Sequence, residues 1–355
     1  MSIIDCQLRD VVELAYGKSL PERNRKEGAV PVYGSGGIGG YHSVPLVEGP
    51  GVIVGRKGTV GSVYFEKNDF FPIDTVYFVR PFIEKISLEY SYYLLKNLPL
   101  ASLNSDAAVP GLNRDRAYSL PIRLPSLDKQ CRVVEFLRQY DDLIENNRRR
   151  IQLLEESARL LYQEWFVHLR FPGHEQIKIT GGVPVGWSKE PLENLLILQR
   201  GFDLPVSKRI EGSVPIYAST GINGFHNVAK VKGPGVVTGR SGSLGAVMYV
   251  AKDYWPLNTT LWVKEFKKAS PIFATYLLRA MKLEGYNGGA AVPTLNRNDV
   301  HKVDVLCPES KLMNEFEVQV ENIFKKIDKL KEYNEKLAQA RDLLLPKLMS
   351  GELTV

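Results

Sequence analysis

Between Cys131 and Phe166, apolar residues recur at alternating steps of four and three: Val133, Leu137, Tyr140, Ile144, Ile151, Leu154, Ala158, Leu161 and Trp165, with Asn147 the one polar member. Such a heptad seam marks a helix that packs along one narrow stripe against another helix. Arg138, Asp141, Arg148, Arg149, Arg150, Glu155 and Glu156 fill the faces between, as a solvated flank requires. At 1.5 Å per residue this helix would run about 50 Å, too long for one ordinary core. A matching seam begins at Phe316 and continues through Val320, Ile323, Ile327, Leu330, Asn334, Leu337, Arg341, Leu344 and Leu348. Antiparallel pairing with Asn147 opposite Asn334 puts Trp165 on Phe316, Leu161 on Val320, Leu154 on Ile327 and Val133 on Leu348. A lone buried Asn can fix such a register at a cost in stability. The alternative is two amphipathic helices docked on separate cores.

The remaining sequence repeats itself. Val30-Pro31-Val32-Tyr33-Gly34-Ser35 returns as Val214-Pro215-Ile216-Tyr217-Ala218-Ser219, and Gly49-Pro50-Gly51-Val52 as Gly233-Pro234-Gly235-Val236. Gly55-Arg56-Lys57-Gly58-Thr59-Val60-Gly61 returns as Gly239-Arg240-Ser241-Gly242-Ser243-Leu244-Gly245. Ala107-Ala108-Val109-Pro110-Gly111-Leu112-Asn113-Arg114 returns as Ala290-Ala291-Val292-Pro293-Thr294-Leu295-Asn296-Arg297. Repetition at a fixed spacing is the signature of a duplication. Within each copy, Val52–Val54 and Val76–Val79 read as buried strands. Tyr90–Leu98 and Ile272–Met281 read as helices, with Gly-rich turns between. The reading is an α+β chain with an internal pseudo-two-fold repeat. Two mixed α/β globules, 1–125 and 171–307, alternate with long helices at 126–170 and 308–355 that pair as an antiparallel coiled coil.

With 355 residues and 44% hydrophobic composition, two sizeable cores are within reach. A net charge of +6 is a mild bias toward polyanions. Cys6, Cys131 and Cys307 are far apart, which argues against a disulfide framework or a zinc site. No apolar run reaches membrane-spanning length and no signal-peptide pattern opens the chain, so a cytoplasmic protein is expected.

Several motifs fail on context. Gly34–Gly39 matches GxGxxG by letter, but further breakers follow it and the second copy lacks the glycines, so a dinucleotide site is not indicated. Asp253 with Glu265-Phe266-Lys267 resembles a metal-nuclease triplet, yet the first copy has Pro81-Phe82-Ile83 at the same place. His42 and His226 are equivalent and read as turn-bonding residues. No catalytic or metal-ligating set emerges. What remains is Gly-rich loops bearing cations and hydroxyls, which place N–H groups and side chains near a phosphate backbone. Arg56, Lys57 and Arg240 are candidate phosphate contacts, or guanine readers in the major groove. The competing reading is a tight hairpin whose Arg caps carbonyls. Ser241 occupies the position of Lys57. Tyr33 and Ser35 are set against Tyr217, Ser219 and Thr220 as positions where two readers of different sequences would diverge. Asn113-Arg114 and Asn296-Arg297 are further DNA-contact candidates, with a structural clamp as the alternative.

These residues resemble the DNA-specificity subunits of type I restriction–modification systems over the whole chain. The resemblance rests on the repeat, the G-R-x-G-x-x-G loops, the A-V-P-x-L-N-R segments and the start of the first helix (Pro125, Leu127, Gln130). The Leu348-Met349-Ser350-Gly351-Glu352-Leu353 ending adds to it. One departure is Met313, where the family pattern has Gln. The resemblance implies that the globules are target-recognition domains on double-stranded DNA and that the helices dock two methyltransferase subunits. The chain itself would be non-catalytic and bind no cofactor. S-adenosylmethionine would sit on the methyltransferase, and ATP and Mg²⁺ on a restriction (translocase) subunit. The assembled complex would methylate adenine N6 and cleave DNA. Alternatives are the specificity subunit of a combined nuclease–methyltransferase, or a metal-dependent nuclease in its own right.

Overall fold

A computed structural model describes residues 3–103, 111–289 and 293–355. The chain forms two compact units, one of residues 1–148 with 331–355 and one of residues 149–330.

In the first unit, strands Val12–Tyr16, Val76–Pro81, Gly51–Gly55 and Val63–Glu66 lie side by side in that order as an antiparallel sheet. Side chains alternate across a strand, and both faces here are apolar. Val52, Val54, Tyr77 and Val79 join one cluster with Leu94, Leu95, Val133 and Leu137 from the helices. Ile53, Val76 and Phe78 point the other way, into a smaller cluster with Tyr33 and Phe70. The second cluster belongs to a three-stranded sheet ordered Gly37–His42, Val30–Gly34, Phe71–Pro72. Helix α1 (Leu88–Asn97) packs on the first face, its N-terminus capped by Ser87 Oγ, which accepts the Tyr90 N–H at 3.2 Å. A short helix, α2 (Arg114–Tyr118), precedes the strand Pro121–Leu124, which pairs with Ile4–Gln7 and leads into α3 (Leu127–Tyr162).

The second unit has the same strand orders. Leu196–Arg200, Thr260–Phe266, Gly235–Gly239 and Val247–Val250 form the four-stranded sheet. Gly221–His226, Val214–Ala218 and Trp255–Pro256 form the three-stranded one. Helices α4 (Pro271–Ala280) and α5 (Arg297–His301) precede α6 (Ser310–Ser350). Gly181 and Gly182, both at positive φ, turn the small hairpin Ile179–Thr180/Val183–Pro184 that precedes these strands.

α3 starts at Leu127, six residues before the first seam residue Val133, and gives way at Gln163 to a π-helical turn through Val167. The wider turn leaves both Trp165 and Phe166 buried, where a regular helix would aim them about 100° apart. Phe316 of α6 meets Tyr162, Trp165 and Phe166 with ring centres 5.8, 6.1 and 5.2 Å away. In the first unit Asn147 Nδ2 donates to Asn334 Oδ1 at 2.9 Å. About two turns away Arg341 forms an ion pair with Asp141, whose other oxygen accepts the Tyr93 hydroxyl at 2.6 Å. Burial and the Asp141 charge hold the Tyr93 phenol well above its ordinary pKa.

The two long helices start differently. Gln130 is fully buried and fully bonded: Nε2 donates to the carbonyls of Lys85 (2.8 Å) and Pro125 (2.9 Å), and Oε1 accepts the Ser87 N–H (3.0 Å). Met313 fills the equivalent place in α6 with an apolar side chain, packed among the buried residues of the second unit. Gln130→Met should therefore lower the unfolding free energy by about 1–3 kcal/mol, because partners in the interior lose their bonds. The shift in denaturant midpoint relative to the parent chain measures it.

Candidate nucleic-acid interface

The Gly55–Gly61 loop leaves the end of the central strand and is closed by its own backbone. Gly55 N–H donates to Ser62 O, and Gly61 N–H to Gly55 O. A Cβ at Gly55 would run into the Thr59 carbonyl oxygen, and one at Gly239 into that of Ser243, so both copies need glycine there. The amides of Arg56 and Lys57 both donate to Thr75 O, at 2.9 and 3.0 Å; those of Arg240 and Ser241 do the same to Thr259 O. The loop then pairs with the segment before the short helix: Lys57 bridges Gly111, and Ser241 bridges Thr294. Residues Ala107–Pro110 and Ala290–Val292 of the repeated A-V-P segments lie outside the described residues.

Around this frame the candidates fall into distinct places. Arg56 is half-buried; one guanidinium nitrogen donates to Asp74 O at 3.0 Å, and the group lies 5.0 Å from the centre of the Tyr16 ring. Arg240 donates likewise to Asn258 O at 3.2 Å. Both arginines thus cap carbonyls while keeping other N–H groups free to donate. Lys57, next to Arg56 in the chain, is exposed. Ser35 lies against this loop: its carbonyl accepts the Ser62 and Tyr64 hydroxyls at 2.6 and 3.1 Å, and its Oγ sits next to Gly58. Ser219 holds the same place next to Gly242, with Thr220 exposed beyond it. Tyr33 is 6% exposed and its hydroxyl donates to Glu66, so it belongs to the core between the sheets and offers no polar atom outward. Tyr217 is half-buried against Tyr254, and burial raises its phenol pKa. Asn113 and Asn296 are N-caps: their Oδ1 atoms accept N–H groups of the first turn of α2 and α5. Arg114 follows its cap and lies over Tyr16 at 4.9 Å; Arg297 is exposed.

The turn-bonding histidines accept main-chain N–H groups, Lys26 to His42 and Ile210 to His226, both at 3.0 Å. Asp253 accepts the Gly233 N–H, as Asp69 accepts that of Gly49, so this carboxylate serves a turn. Among the described residues no cluster of His, Cys, Asp or Glu is arranged to hold a metal ion. Three features were missed in the sequence. Tyr16, nearly half exposed, carries two guanidiniums on its ring. Arg25 and Arg209, at equivalent positions, brace the hairpins by donating to Gly39 O and Asn223 O. Tyr118 and His301 satisfy the same main-chain donor in the two copies: Leu14 N–H meets the Tyr118 hydroxyl at 2.8 Å, and Leu198 N–H meets His301 Nε2 at 2.9 Å. The Arg pair was findable from the shared spacing alone; the Tyr/His exchange hides behind unlike letters.

Residues 5–156 match the family model described as the type I restriction modification DNA specificity domain. The type I restriction enzyme MjaIX specificity subunit of Methanocaldococcus jannaschii is 24% identical over 338 residues, covering 86% of this chain and 78% of that relative. Along most of its length the chain is thus similar to type I restriction–modification specificity subunits. The HindI specificity subunit of Haemophilus influenzae is 21% identical, with 69% of this chain and 71% of its own length aligned. The crystal structure of the type I restriction-modification S subunit from M. genitalium shares the fold, with a TM-score of 0.56 at 17% identity over 98% of this chain and 96% of that one.

In the second unit His301 is held neutral. Burial lowers its pKa from the ordinary 6.5, and Nε2 must stay unprotonated to accept the Leu198 N–H. A depressed histidine pKa means that the unfolded chain takes up the proton first, so its contribution is intact above 6.5 and fades as the pH falls below it. His301→Tyr, which installs the hydroxyl used by the other unit, should remove this part of the acid sensitivity. Comparing denaturant midpoints of parent and variant at about pH 8 and about pH 5, which bracket the histidine range, checks it.

Proposed function

We propose that this chain is the non-catalytic, DNA-reading subunit of a type I restriction–modification enzyme, each globular domain taking one half of a bipartite duplex site. In this reading residues 1–125 and 171–307 are the readers. Residues 126–170 and 308–355 form an antiparallel coiled coil, with the Asn147–Asn334 layer setting its register, and relate the halves as a pseudo-two-fold repeat. The observation that carries it is one backbone frame used twice with different side chains at the same places: Lys57 against Ser241, Tyr16 against Arg200, Tyr118 against His301. A shared frame with unlike contacts suits two half-sites of different sequence. The loop cations Arg56, Lys57 and Arg240, with Ser35, Ser219, Thr220, Ser241, Arg114 and Arg297, are the proposed contacts. Asn113 and Asn296 hold the loops in shape.

The helices, 36 and 41 residues long, would set the separation of the half-sites and present a docking surface to two methyltransferase subunits. The target adenine would be flipped into the partner's pocket, where S-adenosylmethionine binds. ATP and Mg²⁺ would serve a restriction subunit. Among the described residues no helix is long and apolar enough to cross a membrane, and a cytoplasmic assembly is in keeping with that.

Mapping methylated adenines in cells that co-express this chain with its methyltransferase tests the reading. A bipartite motif is expected, and exchange of residues 1–125 with those of a relative should change one half of it only. Removing one heptad from each long helix should alter the number of unread base pairs and leave both half-sites as they were. Absence of a methylation motif, or a change in both halves on a single exchange, would overturn the assignment.

A further inference from the structure

Beside the edge strand Leu196–Arg200 lies an open depression of about 840 Å³, floored by the strand and its continuation to Asp203 and walled by α5. Arg200, Lys264 and Arg297 face it with exposed side chains, and Gln199 and Asn298 add amide groups. None of the three cations makes an ion pair among the described residues. The one carboxylate in the depression, Asp203, is already hydrogen-bonded by Asn258.

The first unit builds the same place differently. Arg80, at the position of Lys264, pairs with Glu13 at 3.4 Å and lies over the Phe78 ring. Ile197 stands at the sequence position of that Glu13, but a bulge here pairs it with Glu265 and leaves Lys264 out of the ladder. Arg114, at the position of Arg297, is laid on the rings of Tyr16 and Tyr118. Tyr16 itself occupies the position of Arg200. Lys18 is the other cation there, and Asp115 stands in place of Asn298. In the first unit, then, both guanidiniums are engaged by the protein, whereas in the second three cations line a concave surface with no internal partner. Concave walls concentrate the field of like charges lining them, and such a surface favours an anion.

We infer that this depression holds the phosphate backbone of duplex DNA, making the second unit the more charge-dependent of the two readers. The inference rests on the DNA-reading function proposed above. Arg200 and Lys264 become contacts that carry register and affinity but no base identity, while the first unit depends more on its aromatic stack at Tyr16.

The test is the salt dependence of binding of the full-length chain, co-purified with its methyltransferase partner, to a labelled duplex of random sequence. Removing one cation from a phosphate lowers the slope of log K against log salt by about 0.9. Arg200→Gln with Lys264→Gln should therefore lower it by nearly two, equally on all duplexes. Arg80→Gln, in the first unit, should leave it unchanged. An unaltered slope in the double variant, while the parent still binds duplex, would overturn the groove and leave the proposed function standing. A weakening confined to certain base sequences at constant slope would also overturn it, since that is base reading. Failure of the parent complex to bind any duplex would overturn both.

Discussion

Val52, Ile53 and Val54 are all fully buried, and a strand with both faces apolar needs a cover on each side. Burying one such side chain contributes about 1.5–3 kcal/mol, so neither face can be left to solvent cheaply. The three-stranded sheet covers one side through Ile53; the helices cover the other through Val52 and Val54. Val236 and Val237 divide in the same way between the two clusters of the second unit. Because α3 and α6 supply part of the cover in each unit, the long helices are part of the cores as well as connectors. Core demand fixes the sheet, and the loops at the strand ends are released from it.

That division explains which parts were legible in the sequence. The long helices announced themselves through heptad spacing, a local pattern that survives without any tertiary information. The structure moved their limits by about one turn, where a π-helical stretch seats Phe166 as well as Trp165. Strand order was not legible, because pairings such as Leu14 with Val79 join residues far apart in sequence. Tyr33 illustrates the harder case. An aromatic in a Gly-rich stretch reads alike whether it faces a ligand or a core, and only the Glu66 carboxylate at 2.8 Å shows which.

The arginines of the G-R-x-G-x-x-G loops leave room for both roles that the sequence posed as alternatives. Each spends one N–H on a main-chain carbonyl, which holds the guanidinium in place, and a fixed guanidinium still has donors to offer. Positioning a cation in this way costs less entropy at binding than ordering a free side chain would. Structural capping and ligand contact are therefore compatible in Arg56 and Arg240.

The exchange of Tyr118 for His301 shows how such a frame can diverge without failing. The requirement is a single acceptor for one edge-strand amide, and a phenol or an unprotonated imidazole meets it equally well in length. What changes is the electrostatic surrounding. The Tyr118 phenol carries Arg114 across its ring, whereas the Arg297 charge acts on His301 through space and, with burial, helps keep the imidazole unprotonated. Arg297 stands exposed, because with Arg200 in place of Tyr16 the second unit has no ring at that position to hold it. Two exchanges, Tyr118 for His301 and Tyr16 for Arg200, thus go with release of a cation at the surface, and the two units come to present different charge on one backbone.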